Sequence, residues 1–259
     1  MTTARPAAPL RLITIRFSHF CEKARWALDR VGVAYREESH VPILSWRVTL
    51  PAGGKSSVPC LVTPERVVND STDILHWADA QGGAAPLFPD GPEAAEVAAL
   101  EEEFDRRLGP ATRRLAYFYL LQRPATLRRV LASAGTGWEA RAGRLLFPLL
   151  RALVVRGLRI DPVTAARSRA ALDEAFATVE ARLADGRRYL VGGRFSAADL
   201  TFAALAAPVL VPDAVRKDYP PLEEVPPELA ALVKQYREHP AGRFALRLYD
   251  EERGARRGL

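Results

Sequence analysis

The chain has 259 residues, 48% hydrophobic and 26% charged, which excludes a disordered chain and gives length enough for two packed domains. Two cysteines, Cys21 and Cys60, exclude a disulfide scaffold and a four-cysteine zinc site, and no metal site is expected. The net charge of +6 rests on 33 arginines and four lysines. No basic stripe or nucleic-acid motif accompanies it, so no nucleic-acid partner is expected.

The first ten residues, MTTARPAAPL, lack the apolar run of a secretion signal. Residues 11–17 alternate with both faces largely apolar, which predicts a strand covered on two sides. Residues 22–29 switch to helical spacing, with Cys21, Ala24 and Leu28 on one face and Gly32 as the stop. A short strand is expected over 33–36, a weakly patterned stretch over 41–50, and strands over 57–63 and 66–68. Asp70-Ser71 then opens a helix that runs to about residue 80. The order β-α-β-(α)-β-β-α predicts a mixed sheet with helices on both faces.

Glycines and prolines crowd residues 82–92 and mark a domain boundary. Beyond it every periodic stretch is helical: 93–122, 124–134, 138–158, 163–184, 197–208, 227–238 and 241–252. The most apolar run, residues 145–160, holds Pro148 and is broken by Arg151, Arg156 and Arg159. It falls short of the roughly 20 residues that a spanning helix needs. It is expected to be a buried helix with arginines on its wet face; the alternative is a surface that touches lipid or an apolar ligand. A cytoplasmic chain without a membrane partner is expected.

Four motifs carry candidate chemistry. Ser18-His19-Phe20-Cys21 sits at the start of the first helix, where unpaired N–H groups favour an anion. It reads either as an ordinary N-cap with Cys21 in the core, or as an anion site. Val58-Pro59 interrupts a strand; a cis bond there would turn the Val58 backbone outward to pair with a peptide, and otherwise the strand starts late, at Cys60. Asp70-Ser71 at a helix start is a plain cap or a seat for a ligand carboxylate, with Asp70 suited to an ammonium. Ser196 and Asp199 form a capping box, with Phe195 and Leu200 as its staple, and serve stability.

These segments, in this order and spacing, resemble the cytosolic glutathione S-transferases, in particular serine-type bacterial members. The likeness spans about residues 10–250 and rests on Ser18-His-Phe-Cys-Glu-Lys-Ala-Arg-Trp26, Ser57-Val-Pro-Cys-Leu61, Asp70-Ser-Thr-Asp-Ile-Leu75 and Phe195-Ser-Ala-Ala-Asp-Leu-Thr201. It implies an α/β plus all-α fold: a thioredoxin-like domain over 9–80 that binds glutathione, followed by an all-helical domain over 93–252 that supplies the acceptor pocket. It implies glutathione as co-substrate, a small apolar electrophile as its partner, and a homodimer. By resemblance Ser18 is the catalytic residue, Val58 and Pro59 grip the cysteinyl part of glutathione, and Asp70 and Ser71 hold its γ-glutamyl end. Lys55 stands near the place where the family often carries Lys or Gln before Val-Pro. Tyr117, Phe118 and Tyr119 lie together on one helix and are candidates for the acceptor wall, with Phe118 expected in the core. Two rival functions share the fold: a glutathione-binding regulatory protein without catalysis, and a thiol oxidoreductase that uses Cys21.

Overall fold

A computed structural model of the chain describes residues 10–254. The reading of the amino terminus as free of a secretion signal concerns residues 1–9 and so lies outside them, as does residue 9 of the first domain. Strand β1 (Leu10–Thr14) is central in a four-stranded sheet of order β2-β1-β3-β4. It runs parallel to β2 (Tyr35–Ser39), with Leu10 opposite Tyr35. On its other side it pairs antiparallel with β3 (Cys60–Val62), with Leu12 opposite Leu61, and β3 turns back into β4 (Val67–Asn69). Leu12 and Ile13 point to opposite faces and both are fully buried, as the two-sided apolar pattern demands.

Helix α1 (His19–Arg30) makes the parallel crossover between β1 and β2, α2 (Trp46–Thr49) is one short turn, and α3 (Ser71–Asp79) closes the domain against α1. The elements follow the predicted order with shifted ends. β1 stops at Thr14, so residues 15–17 are a turn rather than strand; β2 starts at Tyr35; the strand expected over 57–63 shrinks to Cys60–Val62. Every residue of α1 from Cys21 to Asp29 is buried, because the sheet domain and the helical domain cover it together. Its charged groups are therefore paired. Arg25 donates to Glu37 at 2.8 Å, and Arg253 from the far end of the chain donates to Glu22 at 2.6 Å.

Residues 82–92 link the domains and are stitched to both. The Asp79 carboxylate accepts from the Leu87 and Phe88 N–H groups, and the Leu87 carbonyl accepts from Ala197 N–H at 2.8 Å. Helix α4 (Ala94–Glu103) continues through a π-helical turn (Phe104–Leu108) into α5 (Gly109–Leu120), forming one rod. Helices α6 (Pro124–Ser133), α7 (Gly137–Leu145) and α8 (Phe147–Gly157) form an excursion before α9 (Pro162–Leu183), which packs on α5. Helix α10 (Ala197–Leu210) is buried along its whole length and contacts α1, α4 and α5. Its alanines let these neighbours approach. The capping box holds as read: Asp199 accepts from Ser196 N–H at 2.9 Å and from Leu190 N–H at 2.8 Å. Helices α11 (Pro227–Glu238) and α12 (Pro240–Glu251) close the domain.

The run 145–160 is not the buried helix expected. Leu145 is 81% exposed and Leu149 57%, while Leu150 and Val154 are buried. Pro148 stands in the first turn of α8, a separate helix, and the three arginines and four of the six leucines of the run are exposed. Among the described residues no helix is long and apolar enough to cross a membrane.

Candidate active site

A cleft of about 640 Å³ opens between the two domains. The first domain contributes Ser18, His19 and Phe20 from the start of α1, with Ile43 and Val58; the second contributes Arg113 and Tyr117 from α5. Leu153, Val154 and Leu158 of α8 and its end close the far side.

Ser18 is the N-cap of α1, in extended backbone conformation. Its Oγ accepts from Cys21 N–H at 3.4 Å, which leaves the hydroxyl hydrogen for the cleft. The turn before it is held from behind. Arg25 donates to the carbonyls of Ile15 and Arg16 at 3.4 and 3.2 Å, and Ser18 N–H donates to Ile15 O at 3.0 Å. His19 is almost fully buried, and its Nε2 lies 2.8 Å from the Gly109 carbonyl. A carbonyl only accepts, so Nε2 carries the proton. Burial, and next the Arg113 charge, push the imidazole down to about 3, so the ring is neutral. Cys21 is fully buried outside the cleft lining, and burial pushes its thiol up.

The Val58-Pro59 bond is cis, and β3 starts late, at Cys60. The Val58 N–H and C=O make no hydrogen bond among the described residues, whereas the Pro59 carbonyl accepts from Asp70 N–H at 3.4 Å. That bond ties the cis turn to the start of α3. Asp70 caps α3 by accepting from Thr72 N–H at 2.9 Å, at φ +82° and ψ 144°, a region that side chains rarely occupy. Ser71 Oγ is buried without a hydrogen-bond partner. Beside them Lys23 of α1 donates to Thr72 at 2.9 Å, to Asp105 at 2.5 Å and to Glu101. One ammonium thus faces two carboxylates, and the Asp70 charge adds to a net negative corner. Asp70 and Ser71 do not line the cleft itself; they stand beyond the cis turn. Lys55 is exposed in a separate shallow groove with Asp73, His76 and Trp77. Its backbone N–H donates to Asn69 Oδ1 at 2.8 Å.

Two family models match the chain: the glutathione S-transferase N-terminal domain over residues 12–86 and the glutathione S-transferase C-terminal domain over 162–234, together more than half of it. The chain belongs to the glutathione S-transferase family. Residues 87–161, which hold α4 to α8, lie between the two matches. Similar solved structures share the fold. A beta-etherase from Sphingobium sp. strain SYK-6 has TM-score 0.60 and 18% identity, with 93% of this chain and 99% of that one covered. A glutathione transferase from Phanerochaete chrysosporium has TM-score 0.59 and 18% identity over 94% and 97%. A glutathione S-transferase from Methylobacterium radiotolerans, solved with glutathione sulfonate, has TM-score 0.50 and 22% identity over 92% and 95%. No curated protein matches the sequence.

Within this family frame, sequence reasoning missed His19, Arg113 and the Lys23–Glu101–Asp105 corner. His19 was visible inside the first motif, but its partner Gly109 is 90 residues away. Arg113 stands one turn before Tyr117, so helical spacing already put the two on one face. Among 33 arginines nothing set it apart.

Proposed function

We propose that the chain is a serine-type glutathione transferase that conjugates the glutathione thiolate to small, mainly apolar electrophiles. The observation that carries this reading is the meeting of Ser18, with an undirected hydroxyl at a helix start, and Val58, with an unpaired backbone, on one apolar cleft. Glutathione is a peptide with a thiol, two carboxylates and an ammonium. Val58 offers strand-like pairing to its cysteinyl part. The start of α3 offers N–H groups and Ser71 to the γ-glutamyl carboxylate, on rotation of the buried hydroxyl. Asp70, backed by the acidic corner, suits the ammonium. Lys55 reaches the ligand only if its exposed side chain folds back across the turn.

A free thiol titrates at about 8.5, so a fall of two units needs about 2.7 kcal/mol. A helix N-terminus supplies about 0.3–1 kcal/mol and a hydrogen bond to a charged group about 1.5–3 kcal/mol, which together suffice. The thiolate then attacks the electrophilic carbon, and the leaving group departs with the bonding pair. The buried Cys21, with its raised thiol, argues against thiol exchange at that residue. A two-fold homodimer belongs to the same reading, and light scattering at tens of micromolar checks it through a mass of two chains. Calorimetry with glutathione is the primary test. Saturable binding at up to millimolar ligand is expected, and its absence would sink the reading of Val58, Asp70 and Ser71 together.

A further inference from the structure

The cleft holds a charge that the conjugation chemistry above does not use. Arg113 is half-buried on α5, with its guanidinium over the Phe20 ring at 5.6 Å from the centroid. Its Nε is buried without a hydrogen-bond partner, and no carboxylate among the described residues pairs with it. The acidic residue on the cleft wall, Asp218, is engaged by Arg16 at 3.0 Å. Tyr117, one helical turn after Arg113, lines the same cleft, and its hydroxyl has no hydrogen-bond partner among the described residues. Burial pushes that phenol up to about 12, so it remains a donor at neutral pH. The nearby His19 ring is neutral and adds no competing charge. Removing a guanidinium from water without a counter-ion is costly, and a ring face returns little of that cost.

We infer that Arg113 and Tyr117 form an anion subsite at the acceptor end of the cleft, which takes the carboxylate of an aromatic or otherwise apolar acid. The guanidinium fork matches a carboxylate through two parallel N–H donors, and the phenol adds a third. The apolar body of such a ligand lies against Leu153, Val154 and Leu158. This assignment names the electrophile class within the proposed transferase reading and rests on it for the reaction, but its binding step is tested separately. A carboxylate of glutathione itself is the other source of the same chemistry.

The test uses two unreactive ligands of one shape, 3-nitrobenzoate and 3-nitrobenzamide, titrated into the full chain by calorimetry, with glutathione titrated in parallel. The wild-type chain is expected to bind the acid about ten- to a hundredfold more tightly than the amide. Arg113→Met removes that preference and leaves amide and glutathione affinity within about twofold, Arg113→Lys keeps part of it, and Tyr117→Phe loses a few-fold of acid affinity. In conjugation assays the ratio of kcat/KM for 4-chloro-3-nitrobenzoate to that for its amide falls by the same factor in Arg113→Met. Equal wild-type affinity for acid and amide overturns the subsite, as does an equal loss of both in Arg113→Met. Loss of glutathione affinity with acid binding intact assigns the guanidinium to glutathione and overturns it as well. Acid preference without any glutathione binding upholds the subsite and sinks the transferase reading instead.

Discussion

Ser18 divides its hydroxyl between two tasks. The oxygen caps α1 through Cys21 N–H, while its own hydrogen takes no part in that bond and the residue lines the cleft. Ser18→Ala is therefore expected to cost about 1 kcal/mol of stability as a lost cap and to slow conjugation roughly ten- to a hundredfold. The kcat/KM profile against pH with a generic aromatic electrophile checks this, since the glutathione thiol should also titrate higher. Cys21→Ser places a hydroxyl in an apolar core and should cost stability while leaving the rate near wild type. His19 gives an independent handle. Its ring is neutral in the fold and titrates about 3, against 6.5 when exposed. The unfolded chain thus binds an extra proton between those values, and stability falls as pH drops through that window. The slope from this residue is at most about 1.4 kcal/mol per pH unit. His19→Gln, which still donates to the Gly109 carbonyl, should remove that share; urea midpoints between pH 7 and 4 show whether it does.

At the scale of elements, the start of α1 and the start of α5 press together at Gly109. A Cβ there would stand 2.5 Å from Phe20 Cζ and 3.2 Å from Leu205 Cδ1. Gly109→Ala gains about 1 kcal/mol of helix propensity but overpacks at about 1–3 kcal/mol, and the overpacking wins because Leu205 is fully buried and the Phe20 ring stands well inside contact distance. A net loss of up to about 2 kcal/mol in urea melts is expected, with a raised KM for the electrophile as Phe20 moves in the cleft. The parts of these elements that local chemistry decides were legible in the sequence. The cap at Ser18, the cap at Asp70 and the box of Ser196 and Asp199 all rest on partners within three residues, so a motif suffices to see them. The shared backbone position of Val58-Pro59 was legible as an anomaly for the same reason. What distant partners decide was not. Strand β1 ends at Thr14 because the next turn is claimed by Arg25, and the outward leucines of α8 depend on how that helix docks. The inward aim of Arg113 depends on the neighbours of α5.

For the whole molecule, α1 belongs to both domains. The Trp26 ring stacks on Phe195 at 5.7 Å and touches Tyr249, its indole N–H donates to the Glu252 carbonyl, and Arg253 reaches Glu22 and Asp29. Residues 1–92 expressed alone would expose that face and leave Glu22 and Asp29 without Arg253. The fragment is expected to lack a cooperative thermal transition by circular dichroism, whereas the full chain melts as one unit. Loss of a buried charge partner of this kind costs about 3–5 kcal/mol. If the fragment melts cooperatively, α1 is stable on the sheet alone and the two domains are energetically separate.

The π-helical turn at Phe104–Leu108 sets the angular phase of the long rod. A turn of this kind accommodates about one residue more than an α-turn, which winds back everything after it by about 100°. Arg113 lies eight positions after Asp105. On an uninterrupted α-helix it would point about 80° away; with the extra residue the offset is about 20°. The rod consequently shows one side to the sheet domain twice over, first as Glu101 and Asp105 toward Lys23, then as Arg113 and Tyr117 toward the cleft. Shortening the turn by one residue would keep both helices and separate these two faces. A single-codon event would thus turn Arg113 and Tyr117 away from the cleft while the Lys23 corner stays in place.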